Sequence, residues 1–148
     1  MAYYYCCSLV LAPGSIVEPG NWGRMLRLYT PHAQPNAWLL IRELVYEDIR
    51  GTHYPNKPSR LQSTFLCVAE ADIHEFRTSY NRMFDIAYEV EVVDGNASAH
   101  VGDWTLPNMV DTDNVQVFEN RAHLYWQAQS IVKQEVVTLS PVRVLRRL

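Results

Sequence analysis

The 148-residue chain is 48% hydrophobic and 20% charged with a net charge of −3, the balance of one soluble globular domain with a modest core. That charge does not indicate non-specific nucleic-acid binding through a basic surface, and no apolar run is long enough to span a bilayer. Three cysteines, two of them adjacent, argue against a disulfide framework; with no basic signal-peptide region at the amino terminus, the expected location is the reducing cytoplasm.

Residues 3–10 read as a buried strand rich in Tyr, Cys, Leu and Val, ended by the turn pair Pro13-Gly14. Residues 14–27 read as a loop around Glu18-Pro-Gly-Asn-Trp-Gly-Arg24. Trp22 and Arg24 there either cover a bound nucleotide by stacking and charge, or belong to a structured turn whose Trp plugs the core edge. Residues 36–50 form the clearest helix, with Asn36 as N-cap and Gly51 as stop. Ala37, Leu40, Ile41, Leu44, Val45 and Ile49 make its apolar face, and Arg42, Glu43, Glu47 and Asp48 lie off it. The expectation is a packing helix without chemistry.

Residues 60–68 read as a second strand. Residues 70–80 read as a helix with an acidic first turn and Ile73, Phe76 and Tyr80 on its buried face. Residues 85–93 show the best alternation, with Ile86, Tyr88, Val90 and Val92 on one face and Glu89 and Glu91 on the other. Two carboxylates about 7 Å apart suit glycosidase chemistry, but the usual meaning of such a pair is a wet face. Residues 97–113, with Trp104 and Pro107, read as irregular and able to cover an active face as a lid. Residues 114–129 form a second helix, with Val115, Phe118, Ala122, Tyr125 and Trp126 towards the core. Residues 135–139 and 142–145 are short strands hinged at Ser140-Pro141. The five histidines show no zinc-site spacing, so no metal is expected, and no P-loop, dinucleotide-binding glycine motif or nucleophile elbow is present.

Glu135 opens the last strand pair. A carboxylate there is either a solvent-facing strand start or a fixed anion for chemistry on a ribose, where it stabilises an oxocarbenium-like centre as a cationic leaving group departs. The run Glu135-Val-Val-Thr-Leu-Ser-Pro-Val-Arg-Val resembles the closing segment of the ADP-ribosyltransferase superfamily, particularly its poly(ADP-ribose)-polymerase-like branch. The whole chain resembles a family of small uncharacterised bacterial proteins associated with that superfamily.

The resemblance implies one α+β domain over residues 1–148: a split, mostly antiparallel β core with flanking helices. It implies an NAD-dependent mono-ADP-ribosyltransferase, with NAD as co-substrate, no metal, and an acceptor left open among protein, nucleic acid, small molecule and water. Glu135 would be catalytic. Cys6-Cys7-Ser8 would stand where the superfamily carries His-Gly-Ser or His-Gly-Thr to hold the NAD ribose and the nicotinamide amide; Ser8 matches, while Cys6 and Cys7 depart. Phe65 and Phe76, eleven positions apart, would sandwich the nicotinamide, although Phe65 lacks the usual hydroxyl and Ile73 replaces a small hydroxyl residue. Lys133 stands two before Glu135, where arginine-modifying members carry Glu or Gln, which disfavours arginine as acceptor. Taken singly, these cysteines and phenylalanines read as core residues. The departure at Cys6 keeps open a catalytically inactive nucleotide-binding or protein-interaction module on the same fold. A structural phage or bacterial accessory protein is a third reading.

Overall fold

A computed structural model describes residues 1–31 and 37–148. The expected N-cap Asn36 lies outside the described residues. In chain order the elements are β1 (Tyr3–Cys7), β2 (Ile16–Val17), α1 (Asn21–Leu26), α2 (Ala37–His53), a 3-10 turn (Arg60–Gln62), β3 (Thr64–Cys67), α3 (Glu70–Ser79), β4 (Ile86–Val92), β5 (Ala99–Asp103), α4 (Val115–Gln127), β6 (Gln134–Thr138) and β7 (Val142–Arg147). The fold is α+β. All seven strands join one antiparallel sheet in the order β2-β7-β4-β1-β3-β6-β5.

The link between β6 and β7 dictates the sheet's shape. Residues 139–141 join strands that stand four places apart in the sheet order. Four strand spacings in a flat sheet measure about 19 Å, whereas the chain from Thr138 to Val142 reaches at most about 14 Å. The sheet therefore curls. Ser140, fully buried at 0% exposure, fastens the closure. Its carbonyl accepts from Thr64 Oγ1 of β3, and its hydroxyl oxygen accepts from the Asp94 amide just past β4. The curl encloses Leu66, Tyr88, Val90, Val136, Val142 and Val144 in a cluster that no helix residue joins, so the sheet covers its own inner face. Helices cover part of the other face. Ile73 and Phe76 of α3 pack on Cys6, Cys67 and Ala87, and Tyr46 of α2 packs with Ala122, Tyr125 and Trp126 of α4.

Several elements differ from the sequence reading. α2 presents Arg42, Glu43 and Tyr46 inward while Leu44 is 52% exposed. Periodicity counts charges as solvent-facing, and mutual pairing is what lets these two be buried. Gly51 lies inside α2, which runs on to His53. Residues 99–103 are an edge strand and not part of an irregular lid; their Gly and Asp hide a strand pattern that pairing with β6 supplies. α1 forms despite a central glycine. A Cβ on Gly23 would sit 2.1 Å from Leu61 O, so the residue serves close packing on the 3-10 turn. Glu89 and Glu91 pair with Arg146 and Arg143 across β4 and β7, as a wet face would.

Candidate functional site

β1, β3 and β6 are neighbours, with Tyr4 opposite Cys67 and Cys67 opposite Glu135. Side chains alternate along a strand, so Cys6, Phe65, Cys67 and Glu135 share the helix-covered face. Cys7 takes the other face, against the inner core, and Ser8 is exposed beyond the strand end. The Cys6-Cys7-Ser8 run is thus not gathered at one place. Cys6 lies in an apolar cluster, and burial pushes its thiol up to about 11.

Glu135, the second residue of β6, is 3% exposed. Its Oε1 accepts from Arg60 Nη1 and from the Tyr125 hydroxyl, both at 2.7 Å. Arg60 turns its other donors to α2. Nε donates to Glu43 Oε2 at 3.0 Å and Nη2 to Glu43 Oε1 at 3.1 Å, a two-pronged pairing that suits a planar guanidinium. Arg42 Nη2 also donates to Glu43 Oε1, at 2.9 Å, and its Nη1 donates to Pro107 O at 2.7 Å. Two arginines and two glutamates leave the cluster with no formal net charge. The Arg60 guanidinium lies 4.8 Å from the ring centroids of both Phe65 and Tyr125 and 5.6 Å from that of Tyr46.

Burial by itself would raise the Glu43 carboxyl, but Arg60 and Arg42 outweigh it and hold the group at about 2. Burial drives the Tyr125 hydroxyl well above its usual range, so it remains a donor. Gly102, directly opposite Glu135, makes room for this arrangement. A Cβ there would stand 2.5 Å from two Tyr125 ring carbons. The Tyr46 hydroxyl, its ring edge-on to Tyr125, is buried without a hydrogen-bond partner among the described residues.

The two phenylalanines have separate surroundings. Phe65 faces Arg60, whereas Phe76 packs against the tilted Tyr80 ring at 4.6 Å and meets Trp104 edge-on at 5.6 Å. Lys133 is tied to α3 through Glu75 at 2.7 Å and Asp72 at 3.3 Å. Trp22 is half-buried on α1. Arg24 lines a cleft between α1 and the 3-10 turn, and Trp22 does not line it. Among the described residues, no group of three or more His, Cys, Asp or Glu side chains could hold a metal ion, and no helix is long and apolar enough to cross a membrane.

The sequence reading missed Glu43, Arg60, Tyr125 and Gly102. The available signal was Arg60, a charge heading an apolar run, but its partners at 43 and 135 are joined to it only by folding.

Fold and site together define an α+β domain with a curled antiparallel sheet and a buried, charge-balanced network against its helix-covered face. The chain belongs to the family described as "Protein of unknown function (DUF2441)", which it matches over residues 24–147. The match takes in every member of the network but not β1. No curated protein matches the chain.

Proposed function

We propose that this protein is an NAD-dependent mono-ADP-ribosyltransferase with an ADP-ribosyltransferase-like fold. The supporting observation is that Cys6, Phe65 and Glu135, which carry the resemblance on three separate segments, come to one face of three adjacent strands. Glu135 would accept a hydroxyl of the NAD ribose and stabilise positive charge at the anomeric carbon as nicotinamide leaves. Both of its hydrogen bonds land on Oε1, and no hydrogen bond from a described residue reaches Oε2, the oxygen this role needs. Cytoplasmic action fits three free cysteines.

A second reading, a catalytically inactive nucleotide-binding or protein-interaction module, is favoured by one contact. Arg60 offsets the anion on Glu135 that the chemistry requires.

The test is nicotinamide release and ADP-ribose transfer to lysate acceptors, with NAD affinity measured alongside, for the wild type and Glu135→Gln. The transferase expects release from the wild type, a fall on the order of 10²–10³ in the variant, and little change in affinity. Equal release from both proteins sinks the assignment of Glu135. NAD binding without release from either supports the inactive module.

A further inference from the structure

Seven of the described arginines pair with carboxylates. Arg24 and Arg27 are not among them, and residues 32–36, which lie outside the description, include no Asp or Glu. These two cations stand side by side on α1 and at its C-cap. Both line a cleft of about 220 Å³ completed by Pro19, Gly20, Gly23, Leu61 and Gln62. The lining contains no acid, in a chain whose net charge is −3. Like charges three residues apart repel one another, and here no protein anion within the cleft relieves that repulsion.

The cleft is built and not a chance hollow. Gly20 adopts a left-handed φ of 87°, and a Cβ on it would press to 3.3 Å from Arg24 Nη1. Gly23 brings α1 onto the Leu61 carbonyl. Arg24 Nη1 donates to Pro19 O at 3.0 Å and Nη2 donates to Asn21 Oδ1, two neutral acceptors that fix the guanidinium without cancelling its charge. Arg27 is exposed and makes no ion pair with a described residue. A fixed guanidinium beside a second, adaptable one suits an oxyanion with several acceptor oxygens.

We infer that this cleft binds a phosphoryl anion, of the kind carried by a nucleotide diphosphate or by free pyrophosphate. The cleft shares no lining residue with the Glu135 network, and its binding does not depend on nicotinamide cleavage.

Calorimetric titrations with inorganic pyrophosphate, ADP-ribose and adenosine, at low salt and at roughly physiological salt, test it. Pyrophosphate and ADP-ribose are expected to bind, more weakly as salt rises, and adenosine is not. Arg27→Gln, an exposed position whose change should leave the melting temperature unaltered, should weaken binding about tenfold or more, and Arg24→Gln likewise. Much tighter binding of ADP-ribose than of pyrophosphate would assign the anion to a nucleotide; equal binding would assign it to any diphosphate. The inference is overturned if neither anion binds the wild type, or if the double Gln variant binds as tightly. Pyrophosphate binding by a protein that releases no nicotinamide would keep this site and remove the transferase.

Discussion

Arg60 and Glu135, separated by 75 positions in the sequence, meet at 2.7 Å through Nη1 and Oε1. The same guanidinium grips Glu43 of α2, so one side chain ties a helix to the sheet. Its three aromatic neighbours limit water at the pairing, and low solvent access strengthens each electrostatic contact while making any unpaired member costly.

Arg60→Met should therefore destabilise the protein by about 3–5 kcal/mol, because it strands two buried carboxylates with only Arg42 as counter-charge. Arg60→Lys keeps the charge but loses the fork, and should fall between wild type and Met. Denaturant midpoints with unchanged slope would measure both. A loss under about 1 kcal/mol for Met would mean that water already solvates the carboxylates.

How much of this the sequence disclosed depends on whether local pattern or distant pairing decides each element. β1, α3, β4, α4, β6 and β7 follow local runs or faces of apolar residues. β5 and α1 do not. Ala99-His-Val-Gly-Asp103 is a strand because β6 supplies its partners, and Asn21-Trp-Gly-Arg-Met-Leu26 is a helix because Leu61 needs a glycine beneath it. Glu135 was visible as a lone acid before an apolar run. Its burial was not, since that requires Arg60 from one segment and Tyr125 from another.

Phe65→Ala tests whether that ring serves a ligand or the network. Phe65 is half-buried with its ring 4.8 Å from the Arg60 guanidinium. Losing the ring should cost part of the ~3–5 kcal/mol of a fully buried Phe, including ~0.5–2 kcal/mol of cation–π attraction. The expected result is a lowered melting temperature together with weaker NAD binding. A variant that melts with the wild type and loses only NAD affinity would assign Phe65 to the ligand alone. A large drop in melting temperature with NAD affinity intact would remove Phe65 from the proposed site.

His100 sets an acid limit. Its ring is buried between Tyr125 and Trp126, and Nε2 donates to Tyr125 O at 3.0 Å. Burial lowers it from 6.5 to about 4, so the folded protein holds it neutral where the unfolded chain protonates it. The sign follows: its contribution is complete above pH 6.5 and is lost as pH falls towards about 4. Glu43 adds a second, lower window, from 4.5 down to about 2, as its carboxylate is protonated away from Arg60 and Arg42. Stability measured across the upper window should decline with falling pH in the wild type and stay flatter in His100→Gln. Parallel slopes would assign the decline to other groups.

Gly102→Ala should act on Glu135 through Tyr125. Gly102 faces Glu135 across β5 and β6, and the Tyr125 ring lies over the space where a Cβ would be, with the phenol oxygen 2.9 Å from that point. Tyr125 is wholly buried, held by Tyr46, His100 and Trp126, so the ring has little room to retreat. Adding one methyl should cost about 1–3 kcal/mol through overpacking and should carry the hydroxyl away from Oε1. Tyr125→Phe removes that hydroxyl with the ring in place, and should cost about 1.5–3 kcal/mol for a hydrogen bond to a charged group. If the alanine displaces the hydroxyl, the two changes share one loss, and the double variant should be more stable than the sum of the singles by roughly 0.5 kcal/mol or more. Simple additivity would mean that the alanine clashes with the ring while the hydroxyl stays on Glu135, and the link from Gly102 to the carboxylate would be wrong.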